Sequence, residues 1–467
     1  MVRRSVPVGD RIVRVLDGED FCAQWRANAW DQAGASDRAG GQDGPESVRK
    51  AVAEIIEDVM RRGKDALLDW TERFDGVRLE ELEISPASLR AAAARVPPEL
   101  HRAIEAAGQR ISEFAAKSAA SLRPSLASDA AQILTGTGDG PETGEYWLPL
   151  ASAGLYVPGG RAPYPSSVLM TALPAKAAGV AHLVMVTPPG RGELVAPAVA
   201  AAALLSGVDR VFALGGVQAI AALALGAGGV PRVDKIVGPG NAYVTEAKRQ
   251  LYGTTGIDGL AGPSEVVAVS SRCGGEADLA AQLLAQAEHD PDALSLGVLI
   301  GSLREERVLQ ALVEGLECLP AELAATARQS LAARGGLIRV PDREGALEVV
   351  REVCPEHLWV DLTGGAPEAE FVLRAAAHSG AVFVGAYSPV AFGDYVAGPS
   401  HVLPTGRSAR WASPLGPADF MRRVSLVRLD RRTAGLLAGS AATLARAEGF
   451  LAHERSCLGA AQDTEVR

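Results

Sequence analysis

Cysteine is scarce and scattered. Cys22, Cys273, Cys318, Cys354 and Cys457 make an odd total with no CxxC pair. That excludes a disulfide framework and a thiolate zinc site, and they read as free thiols of a reducing cytoplasm. Only Cys354, beside Pro355-Glu356-His357, could have been a nucleophile, and it has no better support than the others. Aromatic residues are 5% of a chain that is 48% hydrophobic, so its interior is built of Ala, Val and Leu, as in an α/β protein rather than a sandwich. Positive charge is also short: 46 Lys and Arg against 56 Asp and Glu leave a net charge of −10. A non-specific DNA or RNA binder needs the opposite sign. No run approaches the ~18–20 apolar residues of a membrane span, and no apolar segment follows Arg3-Arg4, so no signal peptide is expected. These absences leave a soluble cytoplasmic protein with no nucleic-acid and no membrane partner.

What is present is a change of rhythm along the chain. Residues 1–46 hold one expected strand, Arg11 to Leu16, and a Gly/Ala/Asp/Ser-rich linker from Gln32 to Glu46. Over 47–152 apolar residues recur at three and four, and Ser47 to Phe74, Ser85 to Val96 and Pro98 to Ser121 are expected helices of a lobe that joins the α/β domain of residues 264–416. Over 153–263 short apolar strands alternate with helices, which predicts an open parallel sheet with right-handed crossovers. The same alternation over 264–416 predicts a second open sheet, through Glu265 to Ser270, Ser295 to Ile300, Gly336 to Val340, Leu358 to Leu362 and Ala381 to Val384. Residues 417–467 are expected to be mostly helical and left over after both sheets close, which suits packing on a partner subunit.

Open parallel sheets bind ligands beyond the carboxyl ends of their strands. The turn Gly238-Pro239-Gly240-Asn241 lies between a strand and a helix, where backbone N–H groups can hold a pyrophosphate. It lacks the G-x-G-x-x-G fingerprint, so an ordinary tight turn stands as an equal alternative.

The seven histidines are more selective. His101 and His378 have charged helical neighbours and His182 opens a buried strand; none needs a ligand. The other four sit near a second functional group: Gln286 with His289, Glu356 with His357, Asp394 with His401, and Glu448 with His453. Gln286 and His289 are three apart, and so share a helix face just before Pro291. Two His, one Asp and one Gln make a nitrogen/oxygen shell that suits Zn²⁺ or another divalent first-row ion. Glu356 and His357 feed straight into a strand at a sheet edge, where a carboxylate beside an imidazole can run acid–base chemistry. A Glu-His dipeptide is also a common structural pair.

Seven ordered segments together resemble histidinol dehydrogenases: Tyr156-Val-Pro-Gly-Gly, Val233-Asp-Lys-Ile-Val-Gly-Pro-Gly-Asn241, Ala261-Gly-Pro-Ser-Glu265, Gln286-Ala-Glu-His289, Pro355-Glu-His-Leu358, Gly393-Asp-Tyr395 and His401-Val-Leu-Pro-Thr405. The resemblance runs from about Ser47 to His453. It implies two incomplete Rossmann-like domains with α-rich terminal segments, in a domain-swapped homodimer. It implies NAD and one Zn²⁺ per subunit, and oxidation of L-histidinol to L-histidine through bound L-histidinal, the last step of histidine biosynthesis. Position by position it implies Gln286, His289, Asp394 and His453 as zinc ligands and Glu356 and His357 as the acid–base pair. Substrate contacts would come from Ser264, His401 and Glu448 as well as His357 and the four metal-site residues. NAD contacts would be Tyr156, Gln218 and Asn241, and His453 and Glu448 would act in the neighbouring subunit's site. The linker at Gln32 to Glu46 and the basic stretch Gly406 to Trp411 depart from the family pattern without touching a site position. Two competing readings are a related zinc/NAD dehydrogenase of another small alcohol, such as a sulfonated diol, and a non-catalytic metal-binding scaffold. The Glu448 carboxylate favours an ammonium-bearing substrate over a sulfonate, and intact Glu356 and His357 oppose the scaffold.

Overall fold

The computed structural model describes residues 13–27, 45–122, 142–159, 162–190, 192–363 and 366–460. Most of the Gln32–Glu46 stretch lies outside these. Its last two residues, Pro45 and Glu46, already belong to the helix Pro45–Arg62.

In chain order the strands are β1 Arg14–Asp17, β2 Glu142–Pro149, β3 Ser152–Tyr156, β4 His182–Thr187, β5 Arg210–Ala213, β6 Lys235–Val237, β7 Gly256–Ile257, β8 Glu265–Ser270, β9 Leu294–Ile300, β10 Gly335–Val340, β11 His357–Asp361, β12 Ala381–Val384 and β13 Met421–Arg428. One parallel sheet has the order β5-β4-β3-β6-β7 and the other β1-β10-β9-β8-β11-β12. Both are wound outward from a central pair, β3/β6 in one and β8/β11 in the other, where the direction of winding reverses. The expected α/β class and both open sheets are present. No described helix is long and apolar enough to cross a membrane.

Three features differ from the sequence reading. The expected helix from Ser47 to Phe74 is two helices, Pro45–Arg62 and Lys64–Asp75, because Gly63 between them has φ +58°, a conformation side chains disfavour. The helical lobe, grouped above with the later α/β region, instead shares one core with the five-stranded sheet: Val52, Ile56, Leu67, Leu89 and Ile111 are continuous with Leu155, Leu169 and Ile220. Its amphipathic period says that a face is buried, not against which sheet. Finally, residues from 417 are not mostly helical at the start. β13 pairs antiparallel with β2, register Val424↔Tyr146, in a ribbon that carries helices Arg431–Ala447 and Leu451–Ala460 outward. Those helices, separated at Gly449, pack chiefly on each other.

The Gly238-Pro239-Gly240-Asn241 turn is locked by its own surroundings. Gly238 N–H donates to Asp258 Oδ2 at 2.7 Å, and the buried Lys248 Nζ bridges Gly238 O and Asp258 Oδ1 at 2.5 and 2.7 Å. The Asn241 side chain accepts from Tyr243 and Val244 N–H, both at 3.1 Å, and so caps helix Ala242–Leu251. Those donors serve the turn itself, which favours the tight-turn alternative over a pyrophosphate cradle. Gly238 has φ +120° and an added Cβ would sit 2.1 Å from Tyr156 O. Gly238→Ala is therefore expected to lower stability by at least about 3 kcal/mol, read by chemical denaturation; an unchanged midpoint would refute this packing.

Candidate active site

In a parallel sheet the helix after each strand runs back antiparallel to it. Helix Glu276–Ala287 leaves the carboxyl end of β8, so its last turn returns to the amino edge of the six-stranded sheet. That edge is where the candidate residues meet. The helix ends at Ala287, Glu288 caps it, and His289 N–H still bonds Gln286 O at 3.3 Å, which holds Gln286 and His289 on one side of the turn. Next to them β8 begins at Glu265 and β11 at His357, neighbours in the sheet.

The location reverses the carboxyl-edge expectation for this sheet. At the other ends of β8 and β11 the crevice is filled: Arg272 pairs with Asp361 at 2.5 Å and also with Asp278, and Ser270 Oγ donates to Asp361 O. The amino edge has the opposite helix polarity. Helix carboxyl ends gather there with their partial negative charge, an environment suited to cations rather than phosphates.

Glu265, which sequence reasoning did not single out, is the frame of the site. Its N–H donates to Glu356 Oε2 at 2.8 Å, and its C=O accepts from His357 Nδ1 at 3.1 Å. A carbonyl only accepts, so the proton of neutral His357 sits on Nδ1 and the Nε2 lone pair faces outward. Nε2 lies 3.8 Å from Asp394 Oδ1. The motif Ala261-Gly-Pro-Ser-Glu265 drew attention to this stretch, but backbone roles leave no signature in residue type.

Both catalytic candidates are buried. Burial raises the pKa of Glu356 well above the usual carboxylate range, helped by Glu265 and Asp394 and opposed by the Glu265 N–H and the Ser264 hydroxyl. Burial also lowers the pKa of His357, against the pull of Asp394, so the imidazole is neutral at neutral pH. One group is kept from ionising and the other from protonating, the arrangement of an acid–base pair. Cys354 is no nucleophile: burial pushes its thiol pKa up, and the thiol donates to Arg351 O at 3.0 Å. Its φ of +49° instead turns the chain from helix Arg343–Val353 into Pro355-Glu356-His357.

Asp394 is carried by the short helix Val390–Tyr395, docked where Gln282 Oε1 accepts Val390 N–H at 3.0 Å. Its second oxygen is 4.0 Å from His289 Nε2. His401 Nδ1 donates to Asp394 O at 2.9 Å, leaving His401 Nε2 as a free acceptor, and burial lowers its pKa. The segment around His401 joins the two halves of the chain. Ser400 Oγ donates to Met170 O, Gly262 N–H to Thr405 Oγ1, and Gly406 N–H to Glu265 Oε1.

The donors fit a divalent ion incompletely. His289 Nε2 and Asp394 Oδ2 are beyond hydrogen-bond reach of each other, a gap that a shared ion with ligand distances of ~2.0–2.2 Å can bridge. Gln286 is buried with its Nε2 unpartnered, so its amide is not committed elsewhere. Yet among the described residues no three His, Cys, Asp or Glu side chains gather as a ligand group. The structure brings together Gln286, His289, Asp394, Glu356, His357, His401 and Ser264. It does not bring His453 or Glu448 to them. Both are exposed on the C-terminal arm, where His453 rests on Phe450.

The expected dinucleotide residues lie in the other half, at the carboxyl edge of the five-stranded sheet. Tyr156 ends β3, Gln218 is in the first turn of helix Gly216–Leu225, and Asn241 follows β6. The Tyr156 hydroxyl accepts Gly216 N–H at 3.2 Å, and burial lifts its pKa to about 12. Gln218 is buried with both amide atoms unpartnered. An amide left wholly unsatisfied beside a helix N-terminus fits a ligand that offers it donors and acceptors.

Comparison with known proteins bears on what such a pair of edges does. The family model described as histidinol dehydrogenase matches residues 39–458. A histidinol dehydrogenase of Pseudomonas aeruginosa is 44% identical over 418 residues, covering 88% of this chain and 90% of its own. One of Burkholderia mallei is 42% identical over 452 residues, covering 95% and 96%. The crystal structure of histidinol dehydrogenase from Elizabethkingia anophelis superposes with a TM-score of 0.83 at 27% identity, over 96% of this chain and 98% of that one. Matched at this level over nearly its full length, the chain belongs to the histidinol dehydrogenase family.

Proposed function

We propose that the chain oxidises L-histidinol to L-histidine through bound L-histidinal, consuming two NAD in turn as the last step of histidine biosynthesis. The convergence of Gln286, His289, Asp394, Glu356, His357 and His401 on one cation-favouring sheet edge carries this reading. Gln286, His289 and Asp394 would hold the metal, with His453 from a second subunit as the remaining ligand. A zinc ion bound there would supply a template for the substrate's imidazole and amine. NAD, held near Tyr156, Gln218 and Asn241, supplies the hydride acceptor.

His357 Nε2 takes the hydroxyl proton as the carbinol hydride leaves, giving the aldehyde. Glu356 then takes a proton from water, whose oxygen adds to the aldehyde carbon while His357 returns its proton to the carbonyl oxygen, giving the hydrate and a neutral imidazole. His357 takes one of the hydrate's hydroxyl protons as the second hydride leaves, and the carboxylic acid so formed ionises to the carboxylate. One histidinol, one water and two NAD give histidine, two NADH and three protons. Ser264 and His401 would orient the substrate, and the Glu448 carboxylate of the partner would accept its ammonium group.

A homodimer with exchanged arms completes each site. Supporting it, the arm leaves Leu436, Leu444 and Leu451 well exposed, and Tyr387, Phe392 and Tyr395 are exposed around Asp394. Both surfaces would be covered if the arm crossed to a second copy.

NADH formation from L-histidinol, with and without a chelator, tests the reaction. Two NADH per histidinol are expected, abolished by chelation and restored by zinc. Turnover of a sulfonated diol in place of histidinol would overturn the substrate assignment.

A further inference from the structure

Asp75 breaks local rules at a place the proposed reaction does not use. It is the last residue of helix Lys64–Asp75, where a carboxylate faces the negative end of its own helix. Its Oδ2 is buried with no hydrogen-bond partner. Burial alone raises its pKa to about 6. Gly76 behind it is left-handed and ends the helix, so nothing in the helix needs an acid there.

The packing of this helix shows where the carboxyl lies. Gly228, just past helix Gly216–Leu225, has its Cβ position 2.5 Å from Leu67 Cδ1 and 3.3 Å from Lys64 Cα. The start of one helix therefore meets the end of the other. Helix Lys64–Asp75, twelve residues and about 18 Å long, carries Asp75 away from that contact. Its far end comes near the start of the other helix, because the Asp75 carboxylate raises the pKa of Tyr156, whose hydroxyl is bonded to Gly216 N–H. Gln218 folds back to the same point: a Cβ on Gly216 would lie 2.9 Å from its Oε1. An orphaned carboxyl oxygen thus lies within electrostatic reach of the Tyr156 hydroxyl, and an orphaned amide lies beside Gly216, at the carboxyl edge of the five-stranded sheet.

We infer that Asp75 is a further cofactor-binding residue, whose carboxylate accepts a hydrogen bond from a ribose hydroxyl of the dinucleotide. The inference rests on the reading that NAD occupies the Tyr156/Gln218 edge. Ribose hydroxyls are the donors that a lone carboxylate pairs with in dinucleotide sites, and no acidic residue follows β4, the strand beside β3, in the customary ribose-binding place. Here the acid arrives from the helical lobe instead. The bound hydroxyl would also relieve the buried oxygen that the free protein leaves unpaired.

The test is calorimetric titration of the zinc-loaded enzyme with NAD, in the wild type, Asp75→Asn and Gln218→Ala. Asp75→Asn is expected to weaken NAD binding about tenfold or more, with the dissociation constant of L-histidinol unchanged and the melting temperature equal or higher. Asp75→Ser, which shortens the side chain, should lose as much. Titration with AMP and with nicotinamide mononucleotide assigns the contact: the arm that loses affinity carries the ribose concerned. If Gln218→Ala weakens NAD binding and Asp75→Asn does not, the inference is overturned alone. If neither weakens it, the reading of this edge falls with it. A lower melting temperature with NAD affinity intact would make Asp75 a structural partner of the Gly216 helix end and overturn the inference.

Discussion

Mixing a His289→Asn chain with a His453→Asn chain should restore about a quarter of wild-type activity, although each alone is inactive. The expectation follows from geometry. His289 sits at the amino edge of the six-stranded sheet, while His453 is exposed on an arm whose helices pack chiefly on each other. If His453 completes the site of a neighbouring copy, a mixed dimer contains one site with both substitutions and one with neither. Random assortment makes about half the dimers mixed and half of their sites intact. Each parent should fall by at least about 10²-fold, since even loss of a group supporting a metal ligand costs up to that much. Activity measured in purified heterodimers checks the shared site. No recovery there would mean that each chain supplies its own ligands.

The second large effect concerns Glu356. Glu356→Gln keeps an acceptor for the Glu265 N–H but removes the base, so aldehyde hydration should slow by about 10²–10⁴-fold while the first oxidation stays within about tenfold. Rapid mixing should show one NADH formed quickly per site and the second only slowly, with the aldehyde held. His357→Asn should slow both oxidations, because the imidazole handles a proton in each. The pH dependence follows from the same burial. A carboxyl whose pKa is raised ionises late, so the wild-type second step speeds up as pH rises, and Glu356→Gln should flatten that rise. The stability sign is opposite. Burial penalises the ionised form, so Glu356 costs stability as pH rises through its folded pKa, and the amide variant should be as stable or more so at neutral pH. Equal slowing of both oxidations would refute the division of labour.

Much of this was legible before the fold. Strand and helix types were plain wherever a period was strong: β4, β8, β12 and helix Ala242–Leu251 fall where alternation and turn chemistry place them. A boundary slipped where a single backbone conformation decides it, as at Gly63. The ribbon of β2 with β13 was missed because its two strands lie nearly 280 residues apart and each is too exposed to alternate.

By itself the sequence determined the class of the fold and the set of side chains with chemistry to offer, because residue type, short-range period and ordered motifs are local properties. Only the tertiary structure decided which sheet edge those side chains share, that the backbone of Glu265 holds both Glu356 and His357, and that one chain leaves His453 away from His289. Those facts depend on the direction in which each crossover returns and on which distant strands pair, and neither is written in any stretch short enough to read alone.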